Sequence, residues 1–114
     1  MTNKTLLALT FIRKVVFEFP GVTEQICFET PAFYVEKYIF ARLKEDGENL
    51  VIHTLERDKW LEKDPNTFFI TPHYLKYKYM LVNLDRVVPE VLSGLLFTAW
   101  KNRAPKKLLK QLKD

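Results

Sequence analysis

Cysteine and glycine are scarce in this chain, and their scarcity excludes several kinds of active site. The single cysteine, Cys27, permits neither an internal disulfide bond nor a zinc site of several cysteines. The three glycines form no phosphate-binding loop and no nucleophile elbow. Because Cys27 lies between apolar residues, we expect it to be a small buried side chain. We predict that the chain is not an enzyme and that it resides in the reducing cytoplasm.

Long apolar runs and metal-ligand spacings are absent as well. No stretch approaches the roughly 20 apolar residues of a membrane-spanning helix, so we predict no membrane partner. His53 and His73 would need a third ligand such as Glu56 or Asp85, but no ligand-like spacing connects them. We therefore predict that the chain holds no metal and no cofactor.

Aromatic and aliphatic residues, in contrast, are plentiful. Hydrophobic residues make up 47% of the 114-residue chain, and they include nine Phe, five Tyr and two Trp. A chain of this length buries roughly 65% of the surface that it exposes when unfolded, which suffices for a core without crosslinks. We predict one domain that spans residues 1–114.

Positive charge is concentrated in a basic C-terminal helical segment, residues 101–114. This segment carries six basic side chains against one acidic side chain, a net charge of +5. The preceding hundred residues carry twelve basic and thirteen acidic side chains, a net charge of −1. The high isoelectric point therefore belongs to this segment and does not by itself mark the whole domain as nucleic-acid-binding.

The hydrophobic periodicity predicts three helices. Asn3 is the predicted N-cap of the first helix and Thr54 that of the second. Pro89 suits the first position of the final helix, and Pro105 breaks or kinks it. The first two helices cover residues 4–18 and 55–63, and the final helix resumes after Pro105 as a basic turn or two over residues 106–113.

Alternating apolar residues predict six short strands between these helices. Asp46-Gly47 is a hairpin signal, and we also expect turns at Thr30-Pro31 and Lys37-Tyr38. Strands joined by such short turns are antiparallel, because a parallel crossover needs a dozen or more residues. Helices that cover one face of this sheet make a two-layer α+β domain. The predicted strands cover residues 23–29, 32–36, 39–44, 49–53, 68–71 and 79–85.

Residues 71–85 combine a basic, aromatic turn with an apolar strand. The turn contains His73, Lys76, Tyr77 and Lys78. Exposed lysines would neutralise phosphates, and exposed rings would stack on bases. Alternatively, the tyrosines are buried in the core and the lysines form a solvated face. In a middle case His73 and one tyrosine hold the turn, and only the two lysines are exposed.

Three segments resemble the MmcQ/YjbR family of small bacterial domains. Residues 19–24, Phe-Pro-Gly-Val-Thr-Glu, are similar to the family's leucine-proline-glycine-valine-x-glutamate sequence after the first helix. Trp100 and residues 104–108, Ala-Pro-Lys-Lys-Leu, resemble its C-terminal helix. Together with the turn at residues 71–85, these segments span nearly the whole chain.

Within that turn, the resemblance rests on individual positions. His73, Lys76 and Tyr79 match a histidine, a lysine and an aromatic residue of the family, and Leu84-Asp85 resembles the end of its strand. The family often has an asparagine just before the lysine, where this chain has Leu75. Polar contacts of that asparagine are therefore not expected here.

The resemblance implies a CyaY-like fold and a binding role. Family members are described as candidate DNA-binding proteins, from a proposed double-wing arrangement of strands and turns, and no catalytic residue or cofactor comes with the family. Lys37, Tyr38 and Arg42 would belong to one wing, although acidic residues in the same hairpins would repel phosphate. Iron binding by analogy with the fold would need an acidic ridge on the first helix, where Glu18 is the sole acidic residue.

We predict a nucleic-acid-binding protein of low sequence specificity, with DNA as its partner. The lysines of the turn and of the C-terminal segment should then share a face free of acidic residues. Alternatively, the C-terminal cations simply suit the helix macrodipole. The predicted nucleic-acid-binding residues are His73, Lys76, Tyr77, Lys78, Lys101, Arg103, Lys106, Lys107 and Lys110.

Two alternative functions belong to other classes. One is a protein-interaction module that docks on a partner or on a second copy through Leu108, Leu109 and Leu112. The other is a small-ligand binder or an unrecognised enzyme, which a large polar pocket around His73 would favour.

Overall fold

A computed structural model describes residues 2–112 and shows helices packed on one face of an antiparallel sheet. This architecture confirms the predicted two-layer α+β class. A 3-10 helix, Pro72–Tyr74, lies in the predicted basic and aromatic turn. The other elements are α1 (Asn3–Val16), β1 (Val22–Cys27), β2 (Thr30–Val35), β3 (Tyr38–Leu43), β4 (Asn49–His53), α2 (Arg57–Lys63), β5 (Phe68–Phe69), β6 (Tyr79–Asn83), α3 (Pro89–Arg103) and α4 (Lys106–Gln111).

The six strands form one sheet in the order β1-β2-β3-β4-β6-β5, and all neighbours are antiparallel. The first four strands follow one another as a meander because their connections are too short for any other pairing. Strand β6 inserts between β4 and the two-residue edge strand β5. His53 at the end of β4 is thereby paired with Tyr79 at the start of β6.

Two predicted turns lie elsewhere in the structure. The first hairpin turns at Phe28 and Glu29, which both have positive φ angles of 51° and 68°, whereas Thr30 and Pro31 belong to β2. A two-residue loop with positive φ angles matches the twist of the flanking strands, and the Oγ1 of Thr30 donates a hydrogen bond to the Cys27 carbonyl. The prediction of a turn at Thr30-Pro31 is therefore wrong.

The next turn is displaced by one residue. Glu36 adopts a φ of 55° and Tyr38 already belongs to β3, so the turn lies at residues 36–37 and not at the predicted Lys37-Tyr38. A bulge between Phe33 and Tyr34 shifts the register of β2 against β3, and such a shift leaves no regular pattern in the sequence.

The predicted caps of the first two helices differ from the observed ones. Thr2, and not Asn3, is the N-cap of α1, since its Oγ1 accepts a hydrogen bond from the Thr5 backbone N–H at 3.1 Å. The Oγ1 of Thr54 accepts from the Glu56 backbone N–H at 3.0 Å, but this local turn precedes α2, which begins only at Arg57.

Trp100 of α3 is the largest side chain that is completely buried in the core between sheet and helices. Its Nε1–H donates a hydrogen bond to the Pro20 carbonyl at 3.0 Å, and its ring centroid lies 5.5 Å from that of Phe19. A buried indole N–H without a partner would be costly. The contact therefore joins the end of α3 to the segment that follows α1.

The two faces of the sheet have different environments. Leu43 and Leu50 are paired across β3 and β4 and belong to the core beneath the helices. Their neighbours Arg42 and Val51 are also paired, but side chains alternate along a strand, so these two lie on the opposite face. We call this second side the open face. Leu81 of β6, the partner of Val51, also lies there and is fully buried.

None of the helices between residues 2 and 112 is both long and apolar enough to cross a membrane.

Gly21 provides a test of the packing between α4 and the start of β1. Its φ is 72°, and a Cβ at this position would lie 2.7 Å from Leu108 Cδ1. We expect Gly21→Ala to lower the free energy of unfolding by roughly 1–2 kcal/mol from the backbone conformation alone, plus a contribution from the displaced leucine. Chemical denaturation of Gly21→Ala, Leu108→Ala and the double variant measures the two contributions separately.

Gly94 provides the matched control, because it lies within α3 and a Cβ there would meet no atom within 4 Å. Gly94→Ala should stabilise the protein by about 0.5–1 kcal/mol, since alanine favours helix. A Gly21→Ala penalty that is unchanged in the Leu108→Ala background would show that the close contact with Leu108 costs nothing.

Candidate functional site

Arg57 at the start of α2 holds the turn that precedes β6. Its Nη1 donates hydrogen bonds to the carbonyl oxygens of Tyr74 at 2.9 Å, Tyr77 at 2.7 Å and Tyr79 at 3.3 Å. Its Nη2 donates to the Leu75 carbonyl at 3.0 Å. Backbone carbonyls need donors, and one guanidinium donates to four of them here, with Nη1 sharing its two N–H groups among three carbonyls. This role was not predicted from the sequence.

A cavity of about 480 Å³ lies on the open face of the sheet. Strands β1 to β4 and β6 contribute its floor and sides, while Thr71 and the 3-10 helix form another wall. Its lining includes a guanidinium, an amine, an imidazole, a thiol, three tyrosines and several apolar side chains. The lining residues are Cys27, Phe28, Tyr34, Ile39, Ala41, Arg42, Lys44, Glu45, Val51, Thr71, His73, Tyr74 and Tyr79.

Arg42 is the most buried charged side chain of this cavity, with 7% of its surface exposed. Its Nη1 donates to Thr30 Oγ1 at 3.1 Å and forms an ion pair with Glu45. Its Nη2 donates to the Tyr74 hydroxyl at 3.2 Å. Burial disfavours the charge, but the hydrogen bonds to Glu45 and Tyr74 outweigh it, so the pKa of Arg42 stays above its ordinary value. The wing residue of the sequence analysis is thus an inward-facing cation.

Two tyrosines of the cavity remain protonated far above neutral pH. Burial raises the pKa of Tyr34, and hydrogen bonding with the Cys27 thiol raises it further. Burial also raises the pKa of Tyr79, and the nearby Arg103 offsets only part of this effect. Both hydroxyls can therefore donate hydrogen bonds at neutral pH. Cys27 itself is half-buried, so the expectation of a fully buried thiol is wrong.

Lys78 of the turn and Arg103 of α3 both lie near His53. The backbone oxygen of Lys78 accepts a hydrogen bond from the Thr54 N–H at 2.9 Å. Burial, together with the charges of Arg103 and Lys78, lowers the pKa of His53 to about 4. The guanidinium of Arg103 also lies 5.0 Å from the centroid of the Tyr38 ring. Two of the predicted binding residues are thus brought together.

The remaining predicted residues of the turn have different surroundings. His73 lines the cavity, and its ring centroid lies 4.7 Å from that of Tyr74. Lys76 is exposed, but Tyr77 and His73 are exposed too, so the middle case, in which only the two lysines are exposed, is wrong. Tyr77 and Lys78 line a shallow depression together with acidic side chains of the 54–59 segment.

The lysines of the C-terminal segment do not share one face free of acidic residues. Lys107 forms an ion pair with Glu36 at 3.7 Å. The Nζ of Lys101 lies 5.9 Å from the Phe97 ring centroid on α3. Lys106 and Lys110 are exposed on α4. The structure therefore places Lys78 and Arg103 near His53, while Lys107 of α4 lies beside Glu36.

The leucines of α4 pack largely against their own domain. Leu108 is 8% exposed and belongs to the core, and the half-buried Leu109 packs against that core. Leu112 is 36% exposed. This packing leaves Leu112 as the exposed member of the predicted docking face.

Among residues 2–112, no three His, Cys, Asp or Glu side chains are grouped so that they could hold a metal ion.

Replacement of Arg57 by methionine tests its hold on the turn. We expect Arg57→Met to lower the free energy of unfolding by about 1.5–3 kcal/mol, because carbonyl groups lose a charged donor. Hydrogen exchange should accelerate at the Leu75 and Tyr77 amides, which are bonded within the turn, and should stay slow in α3. Lys59→Met on the same helix, where an exposed pair with Glu56 is lost, is the control. Unchanged exchange in Arg57→Met would contradict this role.

His53 predicts a specific dependence of stability on pH. Its pKa is about 4 in the folded chain and about 6.5 when unfolded. Between these values the unfolded chain binds the additional proton, so stability is complete above pH 6.5 and falls as the pH drops towards 4. The loss should reach roughly 3 kcal/mol.

Urea denaturation between pH 5 and 7 measures this loss in a range above the titration of ordinary carboxylates. His53→Phe keeps an aromatic ring against Tyr79 and should flatten the profile in this range. An identical slope in the parent and in His53→Phe would assign the effect to another group.

Comparisons with known proteins agree with this fold. The family model described as YjbR matches residues 17–102. The crystal structure of Deinococcus radiodurans protein DR2400, described as a DUF419 domain, superposes with a TM-score of 0.71, at 24% sequence identity over 91% of this chain and 86% of that chain. Curated proteins include no match. The matched region spans more than half of the sequence, and the chain therefore belongs to the YjbR family.

Proposed function

We propose that this YjbR-family chain binds nucleic acid with low sequence specificity through the end of the sheet where β3 begins and β4 ends. The observation that carries the proposal is that Lys37 and Arg103 both lie against the ring of Tyr38. Lys78 directly precedes Tyr79, which is paired with His53 at the end of β4. These cations come from segments far apart in sequence.

Lys37 and the ring of Tyr38 complete this surface. The Nζ of Lys37 lies 5.6 Å from the Tyr38 ring centroid and the guanidinium of Arg103 lies 5.0 Å from it. The Tyr38 side chain is 41% exposed, so part of its ring is open to contact. We name Lys37, Tyr38, Lys78 and Arg103 the basic end. Cations next to an exposed ring can bind a phosphate and the adjoining base or sugar.

Low specificity follows from the kind of contact available. Cations bound to phosphate position a protein on nucleic acid but do not distinguish sequences. The basic end is small, and Glu36 beside Lys107 limits its extension along α4. We therefore expect a dissociation constant in the range of non-specific complexes, roughly 10⁻⁴ to 10⁻⁶ M. The proposal assigns a binding role and no reaction.

Fluorescence anisotropy with duplex and single-stranded DNA and RNA oligonucleotides tests this function. Three cations on phosphates predict a loss of duplex affinity of about 40-fold between 50 and 200 mM salt, because bound counterions are released. Binding that ignores salt, or no binding at low salt, would contradict the proposal.

Charge reversal locates the surface. Lys37→Glu and Lys78→Glu should each weaken binding several-fold at low salt and reduce the salt slope by about 1. Lys14→Glu, an exposed lysine of α1, makes the same charge change and should leave most of the affinity. Binding that survives Lys37→Glu/Lys78→Glu but is lost on Lys106→Glu/Lys107→Glu/Lys110→Glu would transfer the function to α4.

A further inference from the structure

Phe28 is in an unfavourable position for a large apolar side chain. It is 75% exposed, although phenylalanine is normally buried. Its φ of 51° lies in the left-handed region, where glycine or asparagine would be preferred in this two-residue hairpin. Both features destabilise the isolated domain. Strained residues of this kind cluster at ligand-binding sites, where the side chain is needed in one place.

The strained turn places the Phe28 ring at the rim of the open-face cavity. The ring centroid lies 5.3 Å from the guanidinium carbon of Arg42, and both residues line the cavity. An aromatic ring beside a guanidinium offers a flat apolar surface next to a cation. Such a surface is suited to a ligand that carries both an apolar ring and a negative charge.

Arg42 has donors left for a ligand. Its Nη1 is used by Thr30, Glu45 and the Leu43 carbonyl, and its Nη2 donates to Tyr74. A guanidinium has five N–H groups, and within residues 2–112 the Nε–H has no acceptor. Nε and Nη2 form the edge that carboxylates occupy with two hydrogen bonds.

The charge around this edge favours an anion. Arg42 and Lys44 line the cavity, and Glu45 is the acidic residue among its lining side chains. Glu45 already pairs with Arg42, while 55% of its side chain is exposed. The carboxylate of Glu45 pairs with Nη1 and therefore does not occupy the edge that Nε and Nη2 offer to the carboxylate of a ligand.

The other lining residues indicate the chemistry of the part of the ligand that does not contact Arg42. Ile39, Ala41 and Val51 are apolar, and the rings of Tyr34 and Tyr79 add uncharged surface, since the Tyr79 hydroxyl already donates to the Ile39 carbonyl at 3.4 Å. A volume of about 480 Å³ lies in the range of small-molecule sites. We propose that this cavity binds a small aromatic monocarboxylate, whose carboxylate pairs with the Nε and Nη2 groups of Arg42 and whose ring packs against Phe28.

This site is separate from the basic end, since Lys37, Tyr38, Lys78 and Arg103 do not line the cavity. The two proposals can therefore fail independently. Nucleic-acid binding with no response to a carboxylate would refute only the ligand site.

The test is a titration of the ¹⁵N-labelled chain with phenylacetate, followed by amide chemical shifts, with neutral phenylacetamide as the matched probe. Phenylacetate should shift amides around the cavity, such as those of Tyr34, Ile39 and Thr71, with a dissociation constant of about 1 mM or tighter. Phenylacetamide should bind at least about tenfold more weakly. Equal binding of both probes, or shifts elsewhere, would overturn the proposal.

Two substitutions should change the affinity in opposite directions. Glu45→Gln removes a negative charge next to Arg42 and should tighten phenylacetate binding several-fold. Phe28→Gly should weaken binding several-fold without lowering the melting temperature, because glycine accepts the left-handed backbone. Ile26→Ala, which trims another exposed apolar side chain of β1 outside the cavity, should leave the affinity unchanged. Weaker binding by Glu45→Gln, or parental affinity in Phe28→Gly, would overturn the proposed arrangement.

Discussion

The hydrogen bonds from Arg57 to four carbonyl oxygens fix a turn that contributes residues to both the open-face cavity and the basic end. The Leu75 and Tyr77 amides are bonded within the turn, and this guanidinium supplies the donors for the Leu75 and Tyr77 carbonyls. On one side the ordered segment supplies His73 and Tyr74 to the wall of the cavity. On the other it presents Lys78 next to His53. A half-buried arginine at the start of a short helix therefore determines the geometry of distant side chains.

Most helices and strands were predictable, because the hydrophobic periodicity agrees with the positions of the proline and glycine residues that begin or end them. Pro89 begins α3 as its position predicts, and the hairpin around Asp46-Gly47 forms where the sequence places it. The turn at Phe28 was not predictable, since the preference of such turns for glycine or asparagine argues against a phenylalanine there. Local rules failed where the side chain contacts Arg42, fourteen positions along the chain in a neighbouring strand.

The candidate sites were predictable only in part, for a similar reason. The basic and aromatic composition identified Lys78 and Arg103, but their convergence depends on the pairing of β4 with β6. Lys107 looked equally suitable in the sequence, yet it forms an ion pair with Glu36, a residue of the turn between β2 and β3 that is far from it in sequence. The sequence shows which residues are charged, whereas the ion pairs that they form depend on the tertiary fold. The cavity has no sequence signature, since its lining comes from six separate segments.

The hydrogen bond between Trp100 and Pro20 has a consequence for synthesis of the chain on the ribosome. The sheet is complete at Asn83, but its helix-facing side is not covered until α3 ends at Arg103. At roughly 5–20 residues per second, this interval lasts about 1–4 seconds. During that time only α1 and α2 can shield the apolar face, and the unfinished sheet is most exposed to aggregation and to chaperones. The helices can cover the core only after Trp100 has been synthesised and its indole N–H has bonded to the Pro20 carbonyl.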